Sequence, residues 1–149
     1  MTFMQLGIFT TIFTFVLLLF PYRRIDKRLE PSVEWVMNIV NEECPKKNYF
    51  WPPKIIIKIA EEPSYSYVGI CRTNPVMFVI EVQEYFYNLQ NHEFMNQLLA
   101  HELIHCLFMQ GHIKQRGNLM NPEFQPLEDD YTEEQLREFA KKSCQKKSE

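Results

Sequence analysis

Residues 100–122 read AHELIHCLFMQGHIKQRGNLMNP, and the rest of the chain is organised around them. Three of the protein's four histidines, His101, His105 and His112, stand in this stretch, with Glu102 beside the first. In HELIH the two histidines are one helical turn apart on one face, so both imidazoles can reach a single zinc ion at about 2.0–2.1 Å. Glu102 lies roughly 100° round the helix from His101 and is no third ligand from there. It is placed instead to take a proton from a water activated by the metal, as a general base. A buried helix with two hydrogen-bonded core histidines is the plainer reading of the same five residues, and the third histidine weighs against it.

A catalytic zinc takes three protein ligands and leaves its fourth position to water. On a continuous helix His112 would sit about 10 Å beyond His105, so the helix has to stop between them. Gly111 suits a left-handed, helix-ending position that turns the chain back toward the metal. The rival third ligand is a carboxylate from Glu123, Glu128, Asp129 or Asp130. His112 is preferred because its spacing permits a tight turn, whereas the carboxylates need a long return.

Working outward, the pattern predicts a helix over residues 92–109. Phe94, Leu98, His101, His105 and Phe108 share one stripe, and Met95, Leu99, Leu103, Cys106 and Leu107 make most of the remainder apolar. A helix apolar nearly all round is buried, so its histidines face protein. Upstream, KIIIKIA at residues 54–60 is a β-branched strand bounded by turn signals. A second strand over residues 65–71 leads through a turn at Thr73, Asn74 and Pro75 into a third over residues 76–82. Residues 31–43 carry Val33, Val36, Met37 and Val40 at helical spacing after a Pro-Ser start. Downstream, TEEQ at residues 132–135 is a capping box opening a last helix with Leu136, Phe139 and Ala140 inside, and the basic tail of residues 141–147 is expected to fray. These elements describe an α+β domain whose mixed sheet is covered on one face.

Residues 3–20, FMQLGIFTTIFTFVLLLF, form an uncharged run long enough to cross about 30 Å of hydrocarbon as a helix. The chain therefore divides into a membrane anchor at 1–22, a basic juxtamembrane segment at 23–30 and a metal-binding domain at 31–149. A cleaved signal peptide is disfavoured, since no basic residue precedes the run and no small-residue site follows it. The formal net charge of -3 gives no basic footprint for a nucleic-acid partner. The four cysteines contain no C-x-x-C pair, which argues against a zinc ribbon and leaves either two disulfides or buried thiols.

His101, Glu102 and His105, followed by NLMNP at residues 118–122, resemble the signature of the metzincin zinc peptidases, H-E-x-x-H-x-x-G-x-x-H with a downstream Met-turn. Two positions depart from it: Phe108 stands where the glycine is expected, and the third histidine comes one residue late. HELIHCLFMQGH with NLMNP is also similar, without a gap, to a pattern found in small metallopeptidases, H-E-L-G-H-C-x-L-x-R-x-H with S-I-M-N-P downstream. That resemblance implies a twisted mixed sheet, a buried active-site helix, a Met-turn and a C-terminal helix. It also implies zinc on His101, His105 and His112, Glu102 as general base, Met120 packed beneath the metal, and a peptide or protein substrate. By the same analogy Cys71, in VGIC at residues 68–71, neighbours Cys106 as a disulfide or as two thiols, and the strand at residues 76–82 is the edge that binds an extended substrate. Tyr67, Tyr85 and Tyr131 are candidates to stabilise an oxyanion, with nothing to single one out, and His92 reads as a surface residue.

The expected function is a membrane-anchored zinc peptidase. The alternatives are a non-catalytic membrane protein with a structural zinc, or a peptidase with a carboxylate as third ligand. Arg23, Arg24, Lys27 and Arg28 after the run favour a cytoplasmic domain by the positive-inside rule, whereas such enzymes work outside the cytosol, so the side stays open.

Overall fold

The computed structural model describes residues 22–44, 49–62, 66–88, 92–114, 119–121 and 133–146. The apolar run at 3–20, the four downstream carboxylates, Tyr131 and Thr132 lie outside the described residues. Among the described residues, no helix is long and apolar enough to cross a membrane.

The elements follow in the order β1 (Tyr22–Ile25), α1 (Glu30–Glu43), β2 (Lys54–Ala60), β3 (Gly69–Asn74), β4 (Met77–Gln83), α2 (Glu84–Tyr87), α3 (His92–Phe108) and α4 (Glu133–Lys146). The fold is α+β, with a mixed four-stranded sheet in the order β1-β2-β4-β3. β1, β2 and β4 run parallel, with Ile25 beside Ile57 and Ile57 beside Ile80, and β3 closes the sheet antiparallel to β4. Period-2 alternation sends Ile55, Ile57, Ile59, Phe78, Ile80 and Val82 to one face, where they join α1 and α3 in a single core. The sheet is thus covered on one face, as its sequence pattern implies.

Four expectations need correction. The second strand, expected over residues 65–71 with a turn at Thr73, Asn74 and Pro75, is β3 at Gly69–Asn74, and its Thr73 and Asn74 pair with Phe78 and Met77 of β4. β1 runs from Tyr22, read as the end of the anchor, to Ile25 in the segment read as a basic juxtamembrane stretch, so the sheet starts before residue 31. YRRI is too short and too charged to stand out as a strand in the sequence, and pairing with β2 fixes it as one. β4 is not an edge: it is hydrogen-bonded on both sides, and among the described residues the edge strands are β1 and β3. The tail expected to fray is helical to Lys146, because Cys144 is buried and bonded to Cys44 at the end of α1. Arg137 reinforces that junction by bridging Glu133 on its own helix to Glu42 and Glu43 on α1.

Both disulfides link elements that pack together. Cys44–Cys144 ties α1 to α4 and Cys71–Cys106 ties β3 to α3, with Cα separations of 5.9 and 5.8 Å. No cysteine is free.

Candidate metal centre

α3 is buried along most of its length, as its composition demands, and it ends at Phe108. The stop is built from two sides. Phe50 N–H, in the connector before β2, donates to the Leu107 carbonyl at 2.7 Å and satisfies one of the orphan acceptors of the last turn. Met109 then turns left-handed, with φ 54°. Gly111, expected to make that turn, does not. The left-handed residue comes four positions after His105, and His112 follows three residues later.

His101, His105 and His112 come together, their ligand atoms all within 4.8 Å of one another, and they are the one such cluster among the described residues. The His112 ring stacks on His101 at 5.3 Å between centroids and stands edge-on to His105 at 4.6 Å. Two backbone carbonyls orient the helix pair: His101 Nδ1 donates to Leu119 O at 2.6 Å and His105 Nδ1 to Gln110 O at 2.5 Å. A carbonyl only accepts, so each Nδ1 carries the proton and each Nε2 presents a lone pair. Those Nε2 atoms face each other at 3.0 Å. Two lone pairs so close repel, and a cation between them converts the repulsion into ligation; two imidazoles on a tetrahedral ion at about 2.05 Å would be about 3.3 Å apart. The residues fit a metal ion.

Leu119 and Gln110 were not legible as site residues, because they act through the main chain, where side-chain type carries no signal. The fully buried Met120 holds the Leu119 turn in place by accepting Ile113 N–H at 2.8 Å, next to His112.

Glu102 is 5 % exposed and points to β3, where the Cys71 backbone N–H donates to its carboxylate. Gly69 makes the approach possible: a Cβ there would lie 3.0 Å from Glu102 Cγ and Oε1 and from Leu98 Cδ1. A side chain there would crowd Glu102 and Leu98, which would have to give by a few tenths of an ångström. Of the tyrosines, Tyr67 sits against Glu81 and Arg72, and Tyr85 is 70 % exposed, with its ring on Phe86. His92 is exposed at the start of α3, as expected.

Burial dominates the titration of the site. It holds His101 down to about 4, with the Leu119 hydrogen bond opposing, and it lowers His105 as well. Both are neutral, ligand-competent imidazoles at neutral pH. Burial pushes Glu102 up to about 7 against the Cys71 hydrogen bond. In the metal-free protein these shifts oppose one another. The unfolded chain protonates His101 near 6.5 and the folded one near 4, so stability is lost as pH falls through that window. Glu102 costs stability above pH 7 and ceases to do so below 4.5, so stability is regained over nearly the same range. Each change is worth about 3 kcal/mol at 1.36 kcal/mol per pH unit. His105, lowered in the same sense, adds to the loss, so metal-free protein should lose urea stability between pH 7 and about 4.5, and metal-free Glu102→Gln should lose about 3 kcal/mol more. Equal pH slopes for the two proteins would show that Glu102 is not titrating in this window.

Comparison of the chain with profiles of known families, with characterised proteins and with solved structures returns no match.

Proposed function

We propose that the protein is a membrane-anchored, zinc-dependent peptidase of metzincin type. The observation that carries this reading is the convergence of three imidazoles, two with their Nε2 lone pairs fixed by backbone carbonyls, beside a buried carboxylate. Neutral imidazoles suit zinc, and three of them leave a coordination position open. All four cysteines are taken up in disulfides, so no thiolate competes as a ligand. His101, His105 and His112 would hold the zinc, which would supply a Lewis acid to polarise the scissile carbonyl and acidify a water.

The chain's own residues do the rest. Glu102 accepts a proton from the attacking water as its oxygen bonds to the carbonyl carbon. It then delivers that proton to the departing amine as the C–N bond breaks. A carboxyl raised by burial toward neutral pH is matched to both steps. The substrate edge is β3, not β4. Gln83 N–H bonds to Val68 O, and antiparallel alternation then turns the backbone groups of Gly69, Cys71 and Thr73 outward; Glu102 holds the Cys71 N–H, leaving the Cys71 carbonyl and the groups of Gly69 and Thr73 for pairing. An extended peptide pairing there lies alongside Glu102. The two disulfides support placing the domain on the oxidising side of the membrane.

Elemental analysis and proteolysis test the proposal together. Purified protein should hold about one zinc per chain and cleave unstructured polypeptide, with chelation abolishing both and added zinc restoring both. Folded protein that binds no metal, or that is fully loaded yet inert toward every peptide in a degenerate library, would sink it. The second of those outcomes would instead favour a structural zinc.

A further inference from the structure

The face of the sheet opposite the helices is open among the described residues, and its chemistry differs from that of the chain as a whole. Strand register assigns its rows. Tyr22, Lys54, Met77 and Asn74 cross the end where β1 begins; Arg24, Ile56, Val79 and Arg72 form the next row; Lys58, Glu81 and Ile70 follow. Arg24, Lys54, Lys58 and Arg72 face one carboxylate, Glu81, which pairs with Lys58 and Arg72. The face is therefore net positive in a chain of net charge -3. Between the cations lie half-buried Ile56, Met77, Val79 and Ile70, with Tyr22 48 % exposed at the rim. Cations around an aliphatic centre with an aromatic edge are the composition of a membrane-interface surface.

The chain's path points the same way. The uncharged run at 3–20 ends two residues before Tyr22, and two residues span at most about 7 Å. If that run occupies a bilayer, the first row of this face is held at the headgroups. A second copy of the same face is a poor occupant, because two positive surfaces would meet.

We infer that the open sheet face docks on an anionic lipid surface, laying the domain flat with the helical layer and the histidine centre turned away from the lipid. This rests on the reading of residues 3–20 as a membrane anchor. Docking fixes the site's height and orientation, and so selects extended substrate segments that approach parallel to the bilayer.

Lysine footprinting of the full chain in nanodiscs tests it, with a water-soluble amine acylating reagent and peptide mass analysis. Each basic residue at an anionic surface is worth on the order of fivefold in partition. Lys54 and Lys58 should accordingly be acylated at least about fivefold more slowly in discs with about one third anionic lipid than in zwitterionic discs. Lys141 and Lys142 on α4 should react equally in both, and about 0.5 M salt should erase the difference. The double variant Arg24→Glu/Lys54→Glu should lose the protection of Lys58. Equal rates in the two lipids overturn the proposal; so does protection of Lys54 alone, which would stand the sheet on its end, and so does protection that ignores lipid charge. An alkaline wash of liposomes tests the anchor separately. A chain that washes off after showing charge-dependent protection sinks the anchor and keeps the docking face. A chain that stays but shows no protection does the reverse.

Discussion

Under the proposed peptidase mechanism, Glu102→Gln protein will keep its metal and lose peptide hydrolysis by about 10³-fold, the middle of the range for a positioned general base. The substitution preserves shape, so the clearance over Gly69 is undisturbed, and an amide removes the basic lone pair without adding bulk. It also removes a buried group that resists ionisation above pH 7, so the metal-free variant should be more stable than the parent at pH 8. Gain of stability with loss of turnover is the signature of a residue kept for chemistry. Loss of metal together with activity would place Glu102 among the ligands, and unchanged turnover would remove it from the mechanism. His101→Ala is the contrasting case: it should lose metal and activity together, because one of two Nε2 atoms 3.0 Å apart disappears.

What the sequence disclosed and what it withheld divide along physical lines. α3 and β2 were legible because their signals are local: a helix apolar on nearly every side, and KIIIKIA with its β-branched run. The pairing of His101, Glu102 and His105 follows from helix geometry alone. β1 was not legible, since YRRI becomes a strand only by lying beside β2, and its arginines read more readily as the flank of the apolar run. The interior position of β4 was hidden for a related reason: strand order is set by long-range pairing, and an apolar strand looks alike at the edge and in the middle. The arrival of His112 at the site was expected, but the residue turning the chain was misplaced. Glycine preference pointed to Gly111, whereas anchoring of the helix end by Phe50 puts the left-handed turn at Met109. The disulfide pairing was open at the level of composition, because connectivity belongs to the packed fold.

The disulfides carry the second large effect, and the two should be separable. Cys44 and Cys144 are 100 residues apart, so removing that link frees the unfolded chain by about 4.7 kcal/mol in the loop-entropy account, against about 3.8 kcal/mol for the 35-residue separation of Cys71 and Cys106. Either loss is a large fraction of the roughly 5–15 kcal/mol that holds a domain together. Cys44→Ala/Cys144→Ala should lower Tm by about 15 °C yet leave metal affinity and turnover of the folded fraction intact, because its bond joins α1 to α4 away from the histidines. Cys71→Ala/Cys106→Ala should cost less stability and more function. Its bond fixes β3 against α3, and β3 supplies both the N–H that holds Glu102 and the edge proposed for substrate. Denaturant melts with zinc titration and peptide turnover on both variants check this. If the Cys44–Cys144 pair proves the more damaging to turnover at full folding, β3 is not the strand that positions the chemistry.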